Sequence, residues 1–355
     1  MESGKGSRQV MGGVNAKHDG MSPSPRKKFR KPDKKDLDIH EIADGLKQGS
    51  RLHLGKAITL LESSNPTHKR DGQELLKMLL PNTGNSLRLG ITGVPGAGKS
   101  TFIETFGEML TKKGFRVAVL AIDPSSSLTG GSILGDKTRM ELLAKNPRAF
   151  IRPSPTAGTL GGVHKKTRET MLLCEAAGYD VILVETVGVG QSETLVRGMV
   201  DMFLLLVLTG AGDELQGMKK GILELADAII VHKADGENRE LAEKTVREYK
   251  GMLRFMQPAT EQWKSRAMPV SSVEHTGIEE VWQMAEEFET AAKENGIFSK
   301  RRQTQTKDWF QSMITDELYG RFFEDLNRRE LVKKLEKQIL DDELTVAQAI
   351  HELFE

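Results

Sequence analysis

Apolar residues fall into two kinds of segment that alternate from about residue 84 to residue 297. Short runs nearly continuous in valine, isoleucine and leucine predict strands buried on both faces. These runs cover residues 87–92, 116–122, 180–185, 202–208, 228–231 and 268–270. Longer amphipathic segments predict helices at 99–113, 136–146, 164–178, 238–256 and 277–294. The alternation predicts an α/β fold, a doubly wound and mostly parallel sheet.

Helical patterns flank this region on both sides. Leucine, isoleucine and alanine recur at three- and four-residue spacing from residue 36 until Pro-Asn-Thr-Gly-Asn at 81–85 breaks the pattern. No proline follows Pro269, and a capping box of Thr345 and Gln348 predicts the start of a last helix. The predicted division is a helical segment at 36–83, an α/β domain at 84–297 and a helical arm at 298–355. The arm either dimerises or packs on the α/β domain.

The amino-terminal segment differs from the rest of the chain in its charge. Residues 1–35 carry ten Lys/Arg against three Asp/Glu, which leaves 41 basic and 47 acidic residues in the remainder, a net charge of −6. The segment is poor in apolar residues and predicts a disordered basic tail. It lacks the apolar stretch of a secretory signal. We favour a solvated tail over one that binds nucleic acid or acidic lipid.

Composition excludes several classes of protein. Of the 355 residues, 38% are hydrophobic and 28% charged, which is typical of a globular chain with a sizeable core. No apolar run approaches the ~18 residues of a membrane-spanning helix, so a transmembrane protein is not expected. The single cysteine, Cys174, excludes a disulfide framework or a multi-thiolate metal site within one chain. A reducing, cytoplasmic location is the expectation.

The segment Gly-Val-Pro-Gly-Ala-Gly-Lys-Ser-Thr at 93–101 carries the strongest chemical signal. It matches G-x-x-x-x-G-K-[ST] and lies between a predicted strand and a predicted helix. Glycines let backbone N–H groups turn toward phosphate oxygens, and a helix amino terminus favours negative charge. We expect Lys99 to bridge the β- and γ-phosphates and Ser100 to bind Mg²⁺. The expected phosphate-binding residues are Gly93, Val94, Pro95, Gly96, Ala97, Gly98, Lys99, Ser100 and Thr101.

Three acidic residues are expected at the sheet edge where ligands of doubly wound folds bind. Asp123 follows the second predicted strand, Glu185 closes the third, and Asp136 follows a Ser/Gly-rich loop between them. Carboxylate oxygens suit Mg²⁺, directly or through water, although such acids also cap helices. We predict a magnesium site of these three residues and Ser100, with Lys99, Asp123 and Glu185 as the catalytic residues.

Two further motifs point to a guanine nucleotide. Glu-Thr-Val-Gly at 185–188 resembles the D-x-x-G of GTPases, in which the amide of Gly188 would bind the γ-phosphate. His-Lys-Ala-Asp at 232–235 resembles the guanine-reading N-K-x-D, with histidine in place of asparagine. Asp235 would accept from guanine N1–H and N2–H₂ together, which adenine cannot offer, and Lys233 would cover the ring. These motifs predict GTP rather than ATP.

His232, Ser271 and Ser272 are the remaining residues that we expect near the guanine base. His232 donates at most one hydrogen bond as a neutral ring, so it cannot reproduce the paired donor and acceptor of a carboxamide. Ser271 and Ser272 close the last predicted strand and would supply a backbone N–H to guanine O6. All three are therefore expected nucleotide-binding residues.

Longer stretches of the chain resemble one family. The stretches 123–127, 129–140, 185–193 and 210–217 are similar to motifs of the MeaB/MMAA (formerly ArgK) family. Its members are G-protein chaperones of adenosylcobalamin-dependent acyl-CoA mutases such as methylmalonyl-CoA mutase. The resemblance covers about residues 45–325, and it departs at His232 and over the basic tail.

The resemblance implies a P-loop fold shared with the signal-recognition GTPases and HypB. It implies switch segments at 124–140, 186–198 and 210–220, and in the third Asp213, Gln216 and Lys219 would relay the nucleotide state to the mutase. GTP hydrolysis would gate transfer of the cobalamin from an adenosyltransferase and help to expel damaged cofactor. The implied assembly is a homodimer held by the C-terminal arm.

The residues leave three alternatives. A P-loop metabolite kinase would need an acceptor pocket and a base, for which Asp123 is available, but the guanine motif disfavours it. A HypB-like metallochaperone GTPase shares the fold, yet the eight histidines are scattered rather than clustered. A scaffold that binds GTP without hydrolysis is the third. Because no arginine is evidently presented to the transition state, we expect slow basal hydrolysis that the mutase stimulates.

Overall fold

The computed structural model describes residues 38–63, 65–122, 140–154, 160–186, 192–210 and 220–354. The predicted basic tail lies outside these ranges. Within them, no helix combines the length and the apolar character needed to cross a lipid bilayer.

In the part of the chain that the structure describes, three α-helices and a 3₁₀ turn (Leu80–Asn82) precede the sheet, and a polar side chain starts each α-helix. They are α1 (Ile39–Lys47), α2 (Arg51–Glu62) and α3 (Pro66–Leu79). Asp38, Ser50 and Asn65 are the N-cap residues, and each accepts a hydrogen bond from a backbone N–H of the first turn. These bonds satisfy amides that have no partner within the helix, so the local sequence fixes where each helix begins.

Strands and helices then alternate along the chain. The elements are β1 (Leu87–Gly93), α4 (Lys99–Lys112), β2 (Val117–Ile122), α5 (Glu141–Lys145), β3 (Ala149–Ser154), α6 (Leu160–Ala176), β4 (Val181–Thr186), α7 (Ser192–Arg197), β5 (Met202–Val207), α8 (Lys220–Leu225), β6 (Ala228–His232), α9 (Asn238–Leu253), β7 (Arg266–Val270) and α10 (Ile278–Glu294). Among the described residues the strands form one sheet in the order β3-β2-β4-β1-β5-β6-β7. Every pair in it is parallel, which confirms the predicted α/β fold class.

The core lies on both faces of the sheet because successive strand residues point to opposite sides. Leu183 of β4 packs in the cluster that contains the inner faces of α4 and α10. Its neighbour Val184 packs on the other face, with the N-terminal helices and α6. Burial on both faces explains why these strands are continuous apolar runs rather than alternating ones.

Three helices form the C-terminal arm: α11 (Ile297–Glu324), α12 (Leu326–Leu340) and α13 (Val346–Phe354). The predicted capping box is confirmed, since Thr345 N donates to Gln348 Oε1 at 3.1 Å and Gln348 N donates to Thr345 Oγ1 at 3.3 Å. The first turns of α11 attach to the sheet: Gln305 Nε2 donates to Val200 O at 2.8 Å. One turn further along, the centroid of the Trp309 ring lies 5.7 Å from the guanidinium carbon of Arg168 on α6.

The structure differs from the predicted elements at β3, at the predicted helix 136–146, and at the short helices α7 and α8, which no predicted segment covers. β3 was not predicted, because only Ala149, Phe150 and Ile151 are apolar before Arg152 and Pro153. β3 is the edge strand, where a proline is tolerated because it interrupts no ladder on its outer side. Of the predicted helix 136–146 the structure describes residues 140–146, and α5 is the five-residue helix within them.

Candidate nucleotide-binding site

The phosphate-binding loop follows β1 at the carboxyl edge of the sheet. Gly93 ends the strand with φ 152°, and a Cβ atom there would lie 2.3 Å from the carbonyl oxygen of Leu206 on β5. Only glycine permits that approach. Gly96 and Gly98 have φ values of 84° and 85°, in the left-handed region, and the chain then enters α4.

Lys99 opens α4 and reaches back over the loop. Its Nζ donates to Gly93 O at 2.7 Å and to Val94 O at 3.2 Å, and the residue is 8% exposed. Gly98 is the N-cap residue and has no side chain to cap the helix, so an anion can complete the first turn. A buried ammonium and an uncapped helix start thus converge on one concave loop.

A hydroxyl and a carboxylate meet beside this loop. Ser100 Oγ donates to Glu185 Oε1 at 3.2 Å, and Glu185 is 8% exposed on β4, the neighbour of β1. Thr92 and Thr186 join the same two strands through a hydroxyl pair 2.7 Å apart. Oxygen donors of these two kinds are those that Mg²⁺ prefers, so the residues present fit the ion.

The predicted base-reading segment lies at the end of β6. Lys233 has φ 59°, a left-handed conformation that non-glycine residues adopt mainly at constrained sites. Asp235 follows it, and its Oδ1 accepts from Ser271 Oγ at 3.0 Å. The same hydroxyl accepts from the backbone N–H of Glu274 at 3.1 Å. Ser271 therefore orients the carboxylate expected to face guanine.

The loop after β7 shows which amide is available for guanine O6. The Ser271 N–H donates to Thr276 O at 3.0 Å, which leaves the Ser272 amide as the candidate of the two. Glu274, which was not predicted, also lies in this loop, and its carboxylate accepts from Gly236 N at 3.2 Å and from Arg239 Nη2 at 2.6 Å. These two donors lower the pKa of Glu274. No motif marks this residue, because its partners lie more than 30 residues earlier in the chain, in the loop after β6 and the first turn of α9.

His232 closes β6 and is 2% exposed. Its Nδ1 lies 2.7 Å from Ala97 O of the phosphate-binding loop, and its Nε2 lies 2.7 Å from Ser272 Oγ. Burial lowers the pKa of His232, and the nearby Lys233 charge lowers it further, against the opposing effects of Ala97 O and Asp235. The ring therefore joins the two loops that are predicted to hold the two halves of the nucleotide.

The structure thus brings together the phosphate loop, Glu185, the segment 232–235 and the serines that follow β7. These all lie at the carboxyl ends of parallel strands. The remaining predicted site residues lie outside the described ranges: Asp123, Asp136, Gly188, Asp213, Gln216 and Lys219.

Comparison with known proteins gives the family. The family model described as methylmalonyl-CoA mutase-associated GTPase MeaB matches residues 54–327. The chain belongs to the MeaB family. A probable GTPase of Mycobacterium tuberculosis is 49% identical over 320 residues, 90% of this chain and 95% of that protein. The GTPase ArgK of Escherichia coli is 48% identical over 285 residues, 80% of this chain and 86% of that protein.

A solved structure agrees with this assignment. The crystal structure of a LAO/AO transport system kinase is 37% identical, with a TM-score of 0.74, and the match covers 90% of this chain and 97% of that one. The MeaB-family chain is therefore a P-loop GTPase, and a guanine nucleotide is its ligand.

Proposed function

We propose that this GTPase is a Mg²⁺-dependent chaperone that gates adenosylcobalamin loading onto an acyl-CoA mutase and protects or reactivates that enzyme. The observation that carries the proposal is the match over residues 54–327 to a family described as associated with methylmalonyl-CoA mutase. Methylmalonyl-CoA mutase is accordingly the proposed client, and a cobalamin adenosyltransferase is the proposed source of the cofactor.

The phosphate loop binds and polarises the triphosphate in this proposal. The Lys99 ammonium would exchange its carbonyl partners, Gly93 O and Val94 O, for β- and γ-phosphate oxygens. Backbone N–H groups of the segment 93–101, in which only Pro95 has none, would surround the phosphates, and the start of α4 favours their negative charge. Both contacts strengthen as charge develops during transfer to water, which is how a positioned cation accelerates hydrolysis.

Ser100 and Glu185 would hold the Mg²⁺, with Asp123 and Asp136 as further proposed neighbours. The Ser100 Oγ to Glu185 Oε1 contact of 3.2 Å supports this pairing. Mg²⁺, when bound, offsets negative charge on the β- and γ-phosphate oxygens. Glu185 is nearly buried, so its carboxylate orients the Ser100 hydroxyl in a setting where water competes weakly.

Guanine is read on the other side of the site. Asp235, oriented by Ser271, accepts from N1–H and N2–H₂ of the base, and the Lys233 stem covers one face of the ring. The Ser272 amide donates to O6. Adenine lacks the paired donors and the O6 acceptor, so both contacts favour GTP.

We propose that Gly188 and the third-switch residues Asp213, Gln216 and Lys219 transmit loss of the γ-phosphate to the mutase. The contacts of Arg168 support transmission from the end of the second switch segment, 186–198, to the C-terminal arm. Arg168 on α6 donates from Nη2 to Gly198 O at 2.6 Å and from Nη1 to Gln305 O on α11 at 3.2 Å. The end of that segment and the arm therefore share one guanidinium.

Exposed apolar side chains on the arm support the proposed homodimer. Seven of them are between 44% and 70% exposed: Phe310, Ile314, Leu318, Tyr319, Val346, Ile350 and Phe354. An apolar surface of this kind on a helical arm is typical of an interface. Light scattering on the purified chain should give the mass of two subunits, and Ile314→Glu together with Leu318→Glu should give one.

The function is tested by measuring GTP hydrolysis with and without each adenosylcobalamin-dependent mutase of the source organism. We expect slow basal hydrolysis and clear stimulation by one mutase, which identifies the client. Hydrolysis that no mutase stimulates would leave the GTPase activity intact and remove the proposed chaperone role.

A further inference from the structure

His232 occupies the position at which an N-K-x-D motif has its asparagine, and its surroundings fix its hydrogen bonding. The ring nitrogens lie 2.7 Å from Ala97 O and 2.7 Å from Ser272 Oγ, so both contact protein groups. A carbonyl oxygen can only accept. Nδ1 must therefore carry the proton and donate to Ala97 O.

The proton on Nδ1 determines what Nε2 can do. Burial keeps the imidazole in its neutral form near pH 7, and a neutral ring has one N–H and one lone pair. Nε2 is then an acceptor, and the Ser272 hydroxyl donates to it. N7 and O6 of guanine are also acceptors. In this state His232 has no hydrogen to offer to that edge of the base.

The ring also fills the space between the two loops. A Cβ atom at Gly98 would lie 2.6 Å from His232 Nδ1, and the Phe102 ring packs edge-on with its centroid 6.1 Å from that of the imidazole. Backbone on one side and an aromatic ring on the other thus restrict the imidazole to this orientation. A smaller side chain would remove two hydrogen bonds and leave a void.

We propose that His232 is a positioning residue that fastens the phosphate loop to the guanine loop and makes no hydrogen bond to the base. The proposal rests on GTP binding at this site, as in the proposed function. It leaves base selection to the Ser272 amide and to Asp235, which Ser271 orients, and gives His232 the role of holding Ala97 and Ser272 at a fixed separation. His232 would then contribute equally to the affinity for any nucleotide that uses both loops.

The test combines a change in the protein with a change in the ligand. Affinities for GDP and for 7-deaza-GDP, which lacks the N7 acceptor, are measured by calorimetry for the wild-type chain and His232→Ala. We expect His232→Ala to weaken both nucleotides by the same factor, about tenfold for two lost hydrogen bonds. His232→Asn should recover part of that loss, because the side-chain NH₂ can donate to Ala97 O and the side-chain carbonyl oxygen can accept from Ser272 Oγ.

Two further variants keep the test decisive. Ser272→Ala removes only the Nε2 partner and should also weaken both nucleotides equally, which covers the case in which His232→Ala does not fold. His53→Ala is the matched control, because its ring contacts Ser50 Oγ at 2.8 Å in α2, away from the nucleotide loops. It should leave both affinities unchanged.

The proposal is overturned if wild-type chain discriminates against 7-deaza-GDP and His232→Ala abolishes that discrimination, since His232 would then donate to N7. Unchanged affinity for both nucleotides in a folded His232→Ala would also overturn it. A wild-type chain that binds neither GDP nor GTP would instead contradict the proposed function.

Discussion

Arg302 binds Asp201 with two parallel hydrogen bonds, from Nε to Oδ1 at 2.8 Å and from Nη2 to Oδ2 at 2.7 Å. Arg302 lies in the second turn of α11 and Asp201 directly precedes β5, so this pair fastens the arm to the amino edge of the sheet. The guanidinium also donates to Gly84 O and Ser86 O at 2.7 and 2.6 Å. The side chains of Arg302 and Asp201 are 15% and 1% exposed, and a buried bidentate pair of this type stabilises the fold.

Arg302→Ala should lower the free energy of unfolding by about 3 kcal/mol, because it leaves a buried carboxylate without its charged partner. Urea unfolding followed by circular dichroism measures the loss. Arg321→Ala is the control on the same helix: its pair with Glu317 is largely exposed, and its removal should change stability by less than about 0.5 kcal/mol. Equal effects from the two variants would contradict the anchoring role.

Lys99→Ala should reduce GTP hydrolysis by at least about a hundredfold, since the transferred phosphoryl group loses its buried cation. Lys112→Ala, at the exposed end of the same helix, should hydrolyse GTP at the wild-type rate. Phosphate release under saturating GTP is the measurement. Comparable loss in both variants would show that the effect comes from the helix and not from the ammonium.

Asp235→Asn should lower the preference for GTP over ATP by about 10–100-fold, the discrimination carried by one bidentate base contact. Its amide can instead donate to the C2 carbonyl of xanthine, so xanthosine triphosphate should gain affinity in this variant. Competition binding with the three nucleotides measures both changes. Ser271→Ala should produce a weaker loss of GTP preference, because Asp235 is retained but loses its orienting hydroxyl. An unchanged GTP/ATP ratio in Asp235→Asn would refute the assignment of base reading.

Removal of divalent cations by a chelator should stop hydrolysis. Ser100→Ala should raise the Mg²⁺ concentration needed for half-maximal activity by at least about tenfold, because it deletes a proposed ligand. Ser100→Thr retains the hydroxyl and should behave like the wild-type chain. A Mg²⁺ requirement that is the same in all three chains would place the ion elsewhere.

The pH dependence of stability should report on Glu175. Burial alone would raise its pKa, but the charges and hydrogen bonds of Arg88, the Ser86 hydroxyl and the charge of Arg302 lower it below the ordinary 4.5. The unfolded chain therefore binds this proton more readily, and the contribution of Glu175 is complete above the unfolded pKa and declines as pH falls through the folded one. The stability gap between wild type and Glu175→Gln, about 3 kcal/mol near pH 7, should be constant down to about pH 5 and narrow below it. A gap that stays constant to pH 3 would contradict this reasoning.

Local chemistry made the phosphate loop and the sheet predictable. The pattern around Lys99 is contiguous, and a strand buried on both faces leaves an unbroken apolar run whatever surrounds it. The capping box at Thr345 is equally local. The phosphate loop, the buried strands and the capping box each depend on residues that are close together in the sequence, so their patterns can be recognised from one sequence.

Contacts between distant segments were not predictable in the same way. The Arg302–Asp201 pair joins residues 101 positions apart, and Glu274 acquires its partners from the loop after β6. The interpretation of His232 changes most. The sequence shows only that a histidine replaces the asparagine of a base-reading motif, whereas the fold places Ala97 O and Ser272 Oγ on either side of the ring. Such relations depend on strand order, which the sequence did not specify.

The anchor of the arm and the nucleotide loops lie at opposite ends of parallel strands. Asp201 precedes the six-residue β5, which rises about 20 Å before its carboxyl edge, where Gly93 and His232 end the neighbouring strands. A genetic selection for loss of function should therefore recover two separable groups of alleles, one defective in hydrolysis and one in attachment of the arm. When one chain carries an allele of the first group and a second chain carries an allele of the second group, the two chains together contain one intact nucleotide site and one intact attachment of the arm.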